Sequence, residues 1–206
     1  MAKINSMKFR WRRIPYYLSV ISKIWRNVDW LKREITLNGI KLKFSRIGDL
    51  LEIKEVVLDR EYESRIVKLE KRDKVVVDVG AGVGDFSILA ARRLPRSEIR
   101  AYEPDENRFN LLVKNLELNG VKNVRAKKVA VTSLPGNIDF LKIDCEGCEY
   151  EILNNVKNVK KIAMELHLSC GDGQKLINTL FKSGFEVETT TIKEVPELMH
   201  VYARKR

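Results

Sequence analysis

The 206-residue chain is 44% hydrophobic and 33% charged, with 11 Gly and 5 Pro, which excludes a disordered, collagen-like or low-complexity protein. Its net charge of +11 is uneven: residues 1–46 hold 12 of the 39 Lys and Arg against two acids, Asp29 and Glu34, and residues 47–206 are nearly balanced. A basic front of this kind is drawn to phosphates or anionic lipid.

Residues 14–33 read as an amphipathic helix, with Tyr17, Val20, Ile21, Ile24, Val28 and Leu31 at three- and four-residue steps. Residues 35–44 alternate apolar and polar on either side of Asn38-Gly39, a strong hairpin signal. Residues 48–59 look helical. From Lys74 the rhythm changes to alternating strand and helix. Strands are expected at 75–79, 98–103, 123–131, 138–144 and 160–168. Helices are expected at 85–94, 105–119, near 148–155 and at 173–183. Two closing strands, 185–192 and 198–204, lie too close for a helical crossover and read as an antiparallel hairpin. The fold class is α/β: a mostly parallel sheet with helices on both faces. The organisation expected is a basic N-terminal extension of helix plus hairpin over 1–46 and one α/β domain over 47–206.

Three cysteines, Cys145, Cys148 and Cys170, make no disulfide framework and point to a reducing compartment. Cys145 and Cys148 form C-x-x-C, but zinc would need more ligands at similar spacing. No run approaches the roughly 18 apolar residues of a spanning helix, and no signal-peptide core is present. The expected location is cytoplasmic, peripheral to a membrane where the basic front docks.

The segment VVVDVGAGVGDFS (75–87) runs a strand into Gly80, Gly82 and Gly84 and then opens a helix. Small residues let the backbone approach a ligand, and the helix start offers free N–H groups. The next strand ends in Glu103, where an acid can bind ribose hydroxyls; Asp105 reads as a helix N-cap. Two ligand classes fit, a dinucleotide and S-adenosylmethionine. The spacing is not GxGxxG, and Asp78 just ahead of the loop would repel a pyrophosphate and suit a cationic amino group, which favours S-adenosylmethionine. The second constellation is IDFLKIDCEGCEYEIL (138–153). Asp144 ends a strand beside the switch point, and Glu146, Glu149 and Glu151 follow. Such carboxylates orient a substrate or accept a proton, although Glu149 and Glu151 suit a helix N-terminus equally well.

DVGAGVGDFS, AYEPDENRFNLLVKNLELNG, IDFLKIDCEGCEYEIL and MELH, in this order, resemble the FkbM-type methyltransferases over roughly residues 48–190. The strand-four segment K-I-D-x-E-G-x-E is the most specific part. The resemblance implies the Rossmann-like seven-stranded methyltransferase sheet and O-methylation of a sugar, glycolipid or other hydroxyl-bearing metabolite. It implies cofactor contacts from Asp78, Gly80, Ala81, Gly82, Gly84, Asp85, Phe86, Glu103, Pro104, Ala130 and Asp144. Asp144 and Glu146 would face the reaction site, with Glu165 and His167 beside them; Glu165 and His167, two apart on one strand, share a face, and neutral His is a plausible base. No metal set is assigned; an ion on Asp144, Glu146 and Glu165 is the alternative that chelation by EDTA would test.

Two alternatives stand. One is an RNA methyltransferase acting on tRNA, which would hold its substrate through the basic front with Trp11, Trp25 and Trp30. The same residue types suit an anionic membrane surface. The other is an S-adenosylmethionine-binding protein with impaired catalysis, because only six residues, 132–137, separate Val131 from Ile138. That link can cross two strands, reaching about 20 Å when extended, but it carries no covering helix. The N-terminal helix or a second subunit is expected to cover the sheet face left bare.

Overall fold

The computed structural model describes Ser22 and residues 24–134, 136–153, 156–192 and 195–206. A three-stranded antiparallel sheet comes first: β1 (Val28–Asp29), β2 (Glu34–Leu37) and β3 (Ile40–Lys43). Asn38 and Gly39, both at positive φ, make the tight turn between β2 and β3. Helix α1 (Ile47–Lys54) follows and runs into a π-helical turn at Glu55–Asp59. The main body is β4 (Val75–Val79), α2 (Asp85–Arg93), β5 (Glu98–Tyr102), α3 (Glu106–Leu118), β6 (Val124–Lys127), β7 (Ile138–Ile143), α4 (Glu149–Ile152), β8 (Val159–His167), α5 (Gly173–Lys182), β9 (Phe185–Ile192) and β10 (Val195–Lys205).

The seven strands pair in the order β6-β5-β4-β7-β8-β10-β9. All pairs up to β8 are parallel, and β10 is antiparallel to both β8 and β9. The switch point lies between β5 and β7 on either side of β4, as expected for two βα units wound in opposite directions. Val76, Val77, Val79, Phe140, Leu141 and Ile143 are buried, so the central strands are covered on both faces and read as continuous apolar runs.

The expected helix over 14–33 is corrected from Trp25 on. Residues up to 21 and Lys23 lie outside the described ones; Ser22 and Ile24 are helical, but Trp25–Asn27 is a single 3-10 turn and Val28–Asp29 pairs with β2. Asp29 accepts a hydrogen bond from the Lys32 N–H, and Arg33 takes a positive φ, so the chain reverses where the periodicity continues. The first strand after α3 is also shorter than expected, ending at Lys127.

The bare face is corrected as well. The N-terminal hairpin, Ile24 and α1 join the core on the face of Val76, Ile99 and Phe140. The other face, above which the short link passes, presents Arg100, bonded to Glu98 at 2.7 Å, and Arg125, 3.3 Å from Glu98. By strand alternation these charges share a face with Tyr102, and Val131 and Leu134 of the link itself join the apolar cluster there. Charged side chains paired at the surface of β5 and the edge strand β6 need no helix over them.

Candidate active site

A cavity of about 910 Å³ opens at the C-terminal ends of β4, β5, β7 and β8, closed on the far side by α1 and the segment after it. Its floor is the turn after β4. Gly80 sits at φ 71°, and a Cβ there would lie 1.7 Å from the Asp144 carbonyl oxygen, so β4 and β7 close on each other at a position only glycine fills. A Cβ on Gly82 would meet the Arg108 guanidinium at 2.4 Å; Arg108 reaches across from α3 and pairs with Glu52 of α1.

Glu103, just past β5, is buried and accepts from the Gly82 N–H at 2.8 Å and the Asp105 N–H at 2.9 Å. Burial raises its carboxyl, against the pull of those two N–H groups and of Arg108 and Lys142. Asp105 is the N-cap of α3, accepting from Arg108 N–H, as the sequence indicates.

Of the sequence-predicted cofactor contacts, Gly80, Ala81, Gly82, Asp85, Glu103, Pro104 and Asp144 line the cavity. Four do not. Asp78 is fully buried beneath the loop, where Ser87 donates to its Oδ2 at 2.6 Å and the Lys142 ammonium lies 3.1 Å from Oδ1. Its cationic partner is therefore a lysine of β7 rather than a ligand, since β4 and β7 set Asp78 and Lys142 side by side. Phe86 is a core residue stacked on Phe140. Gly84 makes room for Leu112 of α3. Ala130 is exposed on the short link.

The predicted catalytic residues Asp144, Glu146, Glu165 and His167 all line this cavity. Asp144 ends β7 and accepts from the Tyr62 hydroxyl at 3.1 Å. Glu165 and His167 project from β8 with their nearest polar atoms 3.6 Å apart. His167 Nδ1 lies 2.9 Å from Oε1 of Glu149, and the same carboxylate accepts from the N–H groups of His167 and Gly147. Glu149 is fully buried, so its role is to hold this histidine rather than to face solvent at a helix start. Burial works against the charged imidazole, but the hydrogen bond and charge of Glu149, with Glu165 and Asp144 beyond, outweigh it and raise its pKa.

Several groups here carry no local sequence signal. His200 of β10 stands directly opposite Glu165 of β8, its Nε2 3.6 Å from Glu165 and 3.8 Å from Glu61. Burial, then the charges of Glu55, Glu165, Asp144 and Asp85, push the Glu61 carboxyl well up. Burial and the charge of Asp144 push the Tyr62 phenol up, keeping it a donor. Asp85, at the start of α2, rises to about 7, chiefly through burial and against the pull of Lys142. The Cys145–Cys148 pair overturns the expectation of unpaired thiols: the turn through Glu146 (φ 52°) and Gly147 (φ 119°) brings the two Cα atoms to 5.5 Å, and the sulfurs are bonded. Cys170 is free and exposed.

The charge of the cavity is opposite to that of the protein. Eleven of its lining residues carry a carboxylate, and three, Arg46, Arg108 and Lys142, carry a fixed positive charge. A cationic sulfonium cofactor fits such a wall, the open backbone at Gly80–Gly82 and the Glu103 carboxylate, whose oxygens keep lone pairs for hydroxyl donors. A cavity of this size also leaves room for an acceptor beside it.

Two family models match overlapping parts of the chain: the TRM5/TYW2 methyltransferase domain over residues 50–143 and the methyltransferase FkbM domain over residues 133–196. Among curated proteins, Methyltransferase 1 of Beauveria bassiana is 34% identical over 73 residues, 35% of this chain and 28% of that protein. Methyltransferase sdnD of Sordaria araneosa is 33% identical over 95 residues, 46% of this chain and 36% of that protein. The matched stretch thus spans about a third of the length of these relatives. In fold, the chain is similar to a precorrin-6y C5,15-methyltransferase from Geobacter metallireducens (TM-score 0.56, 19% identity, 84% of this chain and 95% of that one). It is equally similar to M. jannaschii TYW2 in complex with AdoMet (TM-score 0.56, 20% identity, 82% and 83%). With the glycine loop matched by one methyltransferase model and the β7–β9 segment by the other, the chain belongs to the S-adenosylmethionine-dependent methyltransferases, and its residues 133–196 match the FkbM model.

Proposed function

We propose that this methyltransferase transfers the methyl group to a hydroxyl of an uncharged or cationic acceptor, of the class of sugars, glycolipids and other hydroxyl-bearing metabolites. The observation that carries this reading is the acid-rich cavity wall, on which Asp144, Glu165 and His167 converge and which Glu146 also lines. S-adenosylmethionine supplies an electrophilic methyl group. The residues of the loop, Gly80 to Gly82, and Glu103 would hold the cofactor, and Asp85 and Pro104 would flank it. Asp144, oriented by Tyr62, and the Glu165–His167 pair would hold the acceptor oxygen in line with the methyl group, and alignment is the larger share of catalysis in such a transfer. The polar groups at the end of β8 would draw off the hydroxyl proton, a contribution of about 10²–10⁴-fold.

A second reading has its own support. The TRM5/TYW2 model matches residues 50–143, and Trp25 and Trp30 are exposed and 5.1 Å apart on a basic segment, a surface suited to nucleic acid. Against it, the carboxylates around the reaction site repel phosphates.

Methyl-labelled cofactor incubated with the protein and fractionated cell extract separates the two. Label is expected in the polar-metabolite or lipid fraction. Label in RNA alone would overturn the hydroxyl-metabolite reading.

A further inference from the structure

On the wall facing the glycine loop, three side chains of two adjacent strands converge with a spacing that hydrogen bonding does not explain. Asp144, Glu165 and His167 each offer one ligand atom, and these atoms lie within 4.8 Å of one another. His167 Nε2 is 3.6 Å from Oε1 of Glu165. That is too long for a hydrogen bond. It is close to the separation of two ligands on one ion, about 3.0–3.4 Å for bonds of about 2.1 Å.

The surroundings prepare these groups. Glu149, buried behind the strand, holds Nδ1 of His167 at 2.9 Å, which turns the lone pair of Nε2 toward Glu165. A carboxylate behind the ring is the outer-sphere partner that metal-bound histidines carry. The Tyr62 hydroxyl orients Asp144 through its Oδ2. His200 Nε2, without a hydrogen bond, stands 3.6 Å from the other oxygen of Glu165 and flanks it. The excess of carboxylates on the wall leaves negative charge uncompensated.

We propose that Asp144, Glu165 and His167 form a site for one divalent first-row cation, Mn²⁺ or Zn²⁺, with its remaining positions open to the cavity. Two carboxylates and one imidazole suit these ions better than Ca²⁺. Glu146, nominated by sequence for such a set, is exposed on the turn, and His167 takes its place. The Cys145–Cys148–Glu149 group is a weaker competitor, because its two sulfurs are bonded to each other. The cation site stands on geometry alone. Its use rests on the methyl-transfer reading: an acceptor oxygen would complete the ion's shell and ionise more readily there.

The test uses the full chain, stripped of metal by chelator and titrated with Mn²⁺ and with Zn²⁺ by calorimetry. One equivalent is expected to bind. His167→Ala and Glu149→Gln should each weaken binding, Glu149→Gln by about 10–100-fold, while Cys170→Ser changes nothing. Because the chain has only two histidines, Mn²⁺ should broaden the ring NMR signals of His167 and His200 in the unmutated protein, which covers the case of a variant that fails to fold. No stoichiometric binding, or binding that leaves the histidine signals sharp, overturns the proposal. Titration with S-adenosylmethionine in parallel reports on the methyltransferase reading separately.

Discussion

At Gly80 there is room for a hydrogen and nothing more. An alanine there would combine a positive φ with a clash against the Asp144 carbonyl, so Gly80→Ala should lower the unfolding free energy by about 3 kcal/mol or more. Cofactor binding should be lost with it; an unchanged denaturant midpoint would contradict this. Beneath the loop, Lys142 is the counter-ion of Asp78. Lys142→Met leaves a buried carboxylate unpaired, a change that costs about 3–5 kcal/mol and is read in the same melts. Asp85 makes a pH-dependent contribution. Its carboxyl is raised from 3.8 to about 7, so between those values the folded state retains a proton that the unfolded chain has lost. Stability therefore falls as pH rises across that window. Asp85→Asn should flatten the dependence of stability on pH there, measured by urea unfolding at several pH values; parallel curves for the two proteins would refute the assignment. At the catalytic wall, His167→Ala should cut turnover by about 10²-fold or more while leaving cofactor affinity nearly unchanged. Equal loss of both would mark a structural role.

Among the elements, the N-terminal hairpin illustrates where local patterning suffices and where it does not. Asn38-Gly39 and the flanking alternation place β2 and β3 correctly, because turn chemistry and a period of two are local properties. The same reasoning extends a helix through Val28 and Leu31, which the Asp29–Lys32 turn interrupts. What attaches the hairpin to the body is a long-range contact. Asn115 of α3 accepts from Lys43 N–H and donates to the carbonyls of Lys43 and Val83. Asn115→Ala leaves buried main-chain groups without partners and should cost about 2 kcal/mol, as measured by chemical unfolding. A shift within error would show that water replaces the amide.

For the whole molecule, the two charge patterns belong to different places. The positive excess lies in residues 1–46, and the cavity is acidic. Part of that basic segment is nevertheless core: Ile24, Ile35, Leu37, Ile40, Leu42 and Phe44 are buried in one cluster with α1, Phe86 and Phe140. Deleting residues 1–46 should abolish cooperative unfolding, followed by circular dichroism in denaturant. A truncated chain that unfolds at the original midpoint would contradict this. The short link between β6 and β7 does not leave an apolar wound, since the strands beneath it alternate to present Arg100 and Arg125 outward.

Periodicity, the glycine loop and the K-I-D-x-E-G-x-E segment were enough to read the strand–helix alternation, the antiparallel closing hairpin and several residues of the cavity wall, among them Gly80, Gly82, Glu103, Asp144 and His167. Each is written in a few neighbouring residues and in strand–helix alternation. Pairing between charges is not local. Asp78 finds Lys142 through the β4–β7 register, Glu165 finds His200 through the β8–β10 register, and Glu149 finds His167 across 18 positions. The cavity's partners therefore emerge only when parallel and antiparallel neighbours set those registers, because burial and distance decide which of the chain's 28 carboxylates act together.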